Sequence, residues 1–249
     1  SMNRPWYPIS TTDLIDPNLT DSKGYNFDLG YRGSWTPALK FDLSYFHLNY
    51  ADRIGTVAQL RPDKSSYQYR TNLGNSISRG FEGYVEVDPI TAIFESSRVG
   101  YLHLFASLAF VDATYGDFEV TTVSNGQVQI RNLEGNRVEN APRKINRFGA
   151  TYTYDTFSMT WQLSDIGEAF SDASNTVAPN AAATVGLIPA YRVQDLSASW
   201  NFWKQHSLKA GVNNLTDARY FTRRAGGYPG PGIMPADGRT FYLTAALKF

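Results

Sequence analysis

The chain has 249 residues, a formal net charge of zero and no cysteine. Balanced charge argues against a nucleic-acid partner, which calls for a basic excess, and the missing thiols exclude a disulfide framework. Mean hydropathy is −0.35 and no apolar run reaches the roughly 18 residues of a spanning helix, yet both measures pass over a barrel whose apolar and polar residues alternate.

In chain order, Ser1-Met2 reads as a cloning remnant, and period-two alternation then predicts about nine strands. They fall at 23–35, 39–53, 76–88, 100–115, 143–155, 157–170, 190–202, 206–216 and 239–249. In the first, Tyr25, Phe27, Leu29, Tyr31 and Trp35 alternate with Asn26, Asp28, Gly30, Arg32 and Ser34. The second changes phase: Leu39, Phe41, Leu43 and Tyr45 hold odd positions, then Phe46, Leu48 and Tyr50 hold even ones. Either a β-bulge lies near Tyr45-Phe46, or the upper half of that strand stands outside the membrane, where alternation no longer matters. Phe148, Ala150, Tyr152 and Tyr154 alternate with Arg147, Gly149, Thr151 and Thr153. Phe157, Met159, Trp161 and Leu163 alternate with Ser158, Thr160, Gln162 and Ser164. At the end, Phe241, Leu243, Ala245, Leu247 and Phe249 alternate with Thr240, Tyr242, Thr244, Ala246 and Lys248. Successive strand side chains point to opposite faces, so each segment carries one apolar and one polar face.

Strands of ten or more residues exceed the usual 5–6 of soluble sheets and match the roughly 9–11 of a tilted membrane-spanning strand. The aromatic content of 14% suits the girdles of such a barrel. Short links at 36–38, 155–156 and 203–205 alternate with long polar links at 54–75, 116–142, 171–189 and 217–238; 89–99 is one longer turn on the short side. That is the arrangement of periplasmic turns and extracellular loops.

Several blocks resemble the C-terminal barrel of TonB-dependent receptors, and among these the ferric-citrate (iron dicitrate) type. They are Lys23-Gly24-Tyr25-Asn26-Phe27-Asp28-Leu29-Gly30-Tyr31-Arg32; Asn72, Asn75 and Ser78-Arg79-Gly80-Phe81-Glu82-Gly83; and Gly135-Asn136-Arg137-Val138 with Ala141-Pro142-Arg143, where the first proline of the usual pattern is missing. Further on come Phe170-Ser171-Asp172-Ala173-Ser174-Asn175-Thr176 with Ile188-Pro189-Ala190-Tyr191, and Gly211-Val212-Asn213-Asn214-Leu215-Thr216-Asp217-Ala218-Arg219-Tyr220-Phe221. Gly238-Arg239-Thr240-Phe241 and Leu247-Lys248-Phe249 resemble the closing strand. The resemblance covers the chain from about Leu14 onward.

The resemblance implies an all-β fold, an antiparallel up-and-down transmembrane β-barrel of about 22 strands with a plugged lumen. Residues 3–249 would be its C-terminal portion, about nine strands, with the plug domain and the earlier strands absent. An open sheet leaves two unpaired edges, which a membrane does not tolerate, so self-association of the fragment is one expectation. The implied location is the Gram-negative cell outer membrane, and the implied partners are outer-membrane lipid, a ferric chelate, and the TonB complex through the absent N-terminal plug. The implied function is uptake of a ferric chelate, ferric citrate or another siderophore, energised through TonB. A passive porin or an adhesin-like barrel is the alternative. Strand length and aromatic content disfavour a soluble all-β module.

An anionic ferric citrate calls for Arg and hydrogen-bond donors. The ligand-contact candidates are Arg131, Arg137, Arg143, Arg223 and Arg224, with Tyr220 and Tyr228; lipopolysaccharide phosphates or solvent are the competing role for each Arg. The final loop, Ala225 to Gly232, is rich in Gly and Pro and less polar than in the ferric-citrate type. Tyr67, Tyr69, Tyr220 and Tyr228 suit an aromatic siderophore equally well. Phe249 is assigned as the assembly signal read by the barrel-insertion machinery, beside a plain girdle role. No enzymatic or cofactor constellation emerges. His47, His103 and His206 lack metal-ligand spacing, and Glu82 and Glu86 fall on a lumen face that is polar for solvation alone.

Overall fold

The computed structural model describes residues 13–94, 98–203, 206–227 and 230–247. The elements, in chain order, are β1 (Asp13–Ile15), β2 (Lys23–Thr36), β3 (Leu39–Leu60), β4 (Ser66–Val87), α1 (Pro89–Ile93), β5 (Tyr101–Ser124), β6 (Gln127–Asn132), β7 (Lys144–Tyr154) and β8 (Phe157–Ile166). They continue with β9 (Ala169–Phe170), β10 (Leu187–Ile188), β11 (Tyr191–Phe202), β12 (His206–Asn213), β13 (Phe221–Ala225), β14 (Gly232–Pro235) and β15 (Thr240–Ala246). The main sheet runs β15-β12-β11-β8-β7-β5-β4-β3-β2, with β6 on β5 and the short β1 parallel to β4. β5/β7, β7/β8, β8/β11, β11/β12 and β12/β15 are antiparallel. The all-β, antiparallel, up-and-down reading therefore stands, and all nine expected strands are present.

Three strands are longer than expected. β3 and β4 extend to Leu60 and from Ser66, so the link foreseen at 54–75 is a hairpin closed around Arg61–Ser65. The link foreseen at 116–142 is likewise mostly strand, because β5 runs to Ser124 and turns into β6. Asn125 (φ 51°) and Gly126 (φ 69°) make that turn. Both hold positive φ, the requirement of a two-residue turn whose twist matches the flanking strands. The turn at 89–99 contains a helix. Asp88 caps it: its carboxylate accepts from the Ile90 and Thr91 N–H groups, and Pro89 occupies the first turn, where no N–H is needed. The Asp88 N–H in turn donates to the Ala38 carbonyl at 2.8 Å.

The chain divides into two compact units. One takes the described residues up to Phe27, His47–Arg79 and Asp112–Val138. Its core is small: Val57, Ala113, Tyr115, Phe118 and Leu133 are buried. Tyr115 packs on Phe118 with ring centroids 4.2 Å apart, and the Arg53 guanidinium lies 5.4 Å and 5.8 Å from those two rings. The Tyr115 and Leu133 N–H groups donate to the Asn136 and Phe118 carbonyls, so backbone polarity is met locally.

The other unit takes Asp28–Phe46, Gly80–Val111 and Glu139 onward. Register alone sorts its side chains. Tyr154–Phe157–Trp200, Tyr152–Met159–Ala198 and Ala150–Trp161–Leu196 are cross-strand rows of β7, β8 and β11. Leu208, Ala210 and Val212 of β12 and Ala245, Leu243 and Phe241 of β15 continue them. The intervening rows are Thr153–Ser158–Ser199, Thr151–Thr160–Ser197, Gly149–Gln162–Asp195 and Arg147–Ser164–Val193. The Thr151 and Thr160 hydroxyls share a hydrogen bond at 2.9 Å. One face is thus apolar, the other polar. The apolar face is bare: Trp35 is 82% exposed, Phe241 74% and Leu243 71%. A water-soluble sheet would bury that face, whereas a membrane wall turns it to lipid.

No displaced face is seen at Tyr45-Phe46. Tyr45 packs on Phe81 (5.1 Å) while Phe46 lies against Gly80, on the opposite face. Side chains therefore alternate regularly there, and the apparent phase change comes from apolar side chains on the polar face, Phe46 over Gly80 and Tyr50 beside Gly24. The positive φ in β3 is at Asp52 (54°).

Candidate functional site

Inner-face aromatic residues recur over glycines: Phe46 on Gly80, Phe105 on Gly149, Tyr242 on Gly211. A Cβ at any of these glycines would run into the ring, so the pairs keep large side chains flat against the wall. At the end of β7, β8, β11 and β12 away from the short turns, the polar face opens into a cleft of about 550 Å³. Arg147, Ser164, Tyr191, Asp195 and Asn213 form its wall, and Tyr220 with Pro235–Gly238 its rim.

Local hydrogen bonds fix the rim. Asn214 is buried; its N–H donates to Asp195 Oδ1 at 2.8 Å, and its side chain bonds the Ala218 and Asp237 carbonyls and the Ala218 N–H. Asp217 Oδ1 accepts from the Arg239 N–H at 2.9 Å. The Asn213-to-Asp217 block is therefore a clamp that seats the last long link on the wall. Tyr220 stacks on Tyr191 with centroids 4.4 Å apart and planes 20° apart, and its carbonyl accepts from the Ala236 N–H. The stacked pair gives the cleft an aromatic side. Among the described residues no ion pair claims the Arg147 guanidinium. Asp195 and Asp237 line the same cleft, so two acidic residues accompany one cationic residue there.

Of the sequence-derived candidates, the cleft includes Tyr220. Arg224 is engaged elsewhere: its guanidinium donates to the Ala183 and Leu187 carbonyls at 3.0 and 2.9 Å and lies 4.9 Å from the Phe221 ring. It ties the β13–β14 hairpin to the link between β8 and β11. Arg223, beside it on β13, is exposed. Arg143 precedes β7 and is exposed, its carbonyl accepting from Val111. Arg131 is exposed on β6, and Arg137 bridges Thr114. Tyr228 and Phe249 lie outside the described residues. Sequence reasoning missed Arg147, Tyr191 and Asp195. Arg147 and Asp195 occupy polar-phase positions at the loop ends of their strands, and that signal was available.

A wall with a bare apolar face, a polar face and a loop-end cleft has the build of part of an outer-membrane barrel. The model of the TonB dependent receptor-like, beta-barrel family matches residues 3–215, and the chain belongs to that family. Its members are Gram-negative outer-membrane receptors and transporters, not enzymes. The metal-pseudopaline receptor CntO of Pseudomonas aeruginosa is 23% identical over 99% of this chain and 30% of its own length. The probable TonB-dependent siderophore receptor PiuA of Acinetobacter baumannii is 26% identical over 100% of this chain and 30% of its own. Among solved structures, the unliganded ferric citrate transporter FecA superposes with a TM-score of 0.71 at 22% identity, covering 91% of this chain and 31% of that one. Likeness at that identity speaks for the fold. The chain spans about 30% of the length of these curated relatives.

Proposed function

We propose that the protein takes up a ferric chelate across the outer membrane, energised through TonB, with residues 3–249 supplying C-terminal barrel wall and extracellular loops. The plug and the TonB contact belong, on this reading, to another part of the receptor. The loop-end cleft on the polar face carries the proposal, because a ligand arriving from outside meets it first. Ferric citrate is the specific cargo suggested by the sequence blocks. The cleft's charge balance, Asp195 and Asp237 against Arg147, favours a siderophore with hydroxyl donors and aromatic rings over a compact polyanion, since like charges repel at close range. Tyr191 and Tyr220 offer the stacking surface.

The test is radio-iron uptake by a strain deleted for the receptor and complemented with wild type or Tyr220→Ala, supplied with ferric citrate, a catecholate or a hydroxamate. Uptake of one chelate should return with wild type and fall at least severalfold with Tyr220→Ala at equal surface level. No return with any ferric chelate would refute iron uptake. Equal uptake by the variant would refute the cleft.

A further inference from the structure

The apolar face is not evenly filled. Leu29, Leu43, Tyr45, Phe81, Leu108 and Phe110 surround a groove of about 670 Å³ over Gly83. Gly83 has no side chain there, and a Cβ would meet one atom, Leu43 Cδ2 at 3.3 Å. The groove is almost wholly apolar and opens on the lipid side of the wall.

One end of this groove meets charge. Leu108 pairs directly with Asn146, and Phe110 with Lys144. Asn146 pairs with Asp165, and Asp165 with Arg192, so these side chains share the face of the groove. The Lys144 ammonium donates to Asp165 Oδ2 at 2.8 Å, and the Arg192 guanidinium Nε to Oδ1 at 3.1 Å. Two cations thus share one carboxylate, and the Arg192 side chain is 72% exposed. Asp165 lies eight residues along β8 from Phe157, at the turn end. At about 3.3 Å per residue and about 40° of tilt, that is roughly 20 Å along the membrane normal. The cluster therefore stands near the outer rim of the apolar band, on the loop side. Net positive charge there, facing lipid rather than lumen, lies at the level of the outer-leaflet headgroups.

We propose that this groove and cluster form a binding site for lipid A, the phosphorylated, multiply acylated anchor of lipopolysaccharide. An acyl chain fills the groove over Gly83, and a phosphate takes the outer donors of Lys144 and Arg192, with Asp165 holding both side chains in place. Charge complementarity and the continuity of groove and cluster select an anionic lipid over a neutral one. The position at the loop-side rim selects the outer leaflet. The site is independent of the uptake proposal.

Native mass spectrometry of the full protein, purified from outer membranes in detergent, tests this with three lipids: bisphosphorylated lipid A, dephosphorylated lipid A and phosphatidylglycerol. Wild type should bind bisphosphorylated lipid A at least tenfold more tightly than either other lipid. The variant K144Q/D165N/R192Q strands no charge and keeps hydrogen-bonding groups; it should lose that preference while keeping the heat-modifiable mobility of a folded barrel. Gly83→Leu should weaken binding of both forms of lipid A alike. Equal binding of all three lipids by wild type, or an unchanged preference in the triple variant, overturns the proposal. Should the triple variant fail to fold, Arg192→Gln alone is read the same way, with at least a threefold loss expected and no loss overturning the site.

Discussion

Asp88 shows how a single residue organises a turn. Burial pushes its carboxyl up, but the Thr91 hydroxyl and the N–H groups of Thr91, Leu102 and Ile90 together outweigh this and hold it below the ordinary carboxylate value. A lowered folded value contributes stability that is complete above the unfolded value of about 3.9 and is lost as pH falls through the folded one. Asp88→Ala should therefore destabilise the barrel by about 0.5–2 kcal/mol at neutral pH, the range for a lost helix cap. The difference from wild type should shrink below about pH 4. Urea unfolding in detergent at several pH values measures both; a gap that persists in acid would show that the carboxylate charge is not the agent. The Asp88-Pro89 pair was a legible cap in the sequence, passed over because a five-residue helix carries no periodicity of its own.

At the scale of the strand, the faces were legible and the ends were not. Alternation at 157–163 assigned Phe157, Met159, Trp161 and Leu163 to one face, and the register places them there. Beyond the membrane both faces meet water, so the pattern fades while pairing continues. That is why β3, β4 and β5 outrun their expected ends. Asn125-Gly126 marked the β5–β6 turn plainly, and the polarity around it was read as loop instead. For the site, Tyr220 was found because its block stood out, whereas Arg147 sat unremarked inside an alternating run. Face assignment yields a direct contrast. Leu196→Arg should cost about 2–4 kcal/mol in a bilayer, as for a charge placed on the lipid face near the midplane. Ser197→Arg, one residue on and facing the lumen, should change stability by less than about 1 kcal/mol. Unfolding titrations in lipid vesicles compare the two; equal costs would contradict the assignment.

Over the whole molecule, neighbours in the main sheet are neighbours in the chain once the short β1, β6, β9, β10, β13 and β14 are set aside. Yet the connections differ widely in length. β7 and β8 are joined through Asp155-Thr156 alone, whereas β8 reaches β11 only after residues 167–190. Closing the longer link costs about 2 kcal/mol more in chain entropy, taking 1.5RT times the logarithm of the length ratio. That difference orders the steps of folding: β7–β8 and β11–β12 should close as ready-made hairpins, and their joining should be the slower event. Pulse-labelled hydrogen exchange during refolding would show amides between β7 and β8 protected before those between β8 and β11. Simultaneous protection would mean that the sheet forms in one concerted step. A two-residue turn thus acts as a clock as well as a connection.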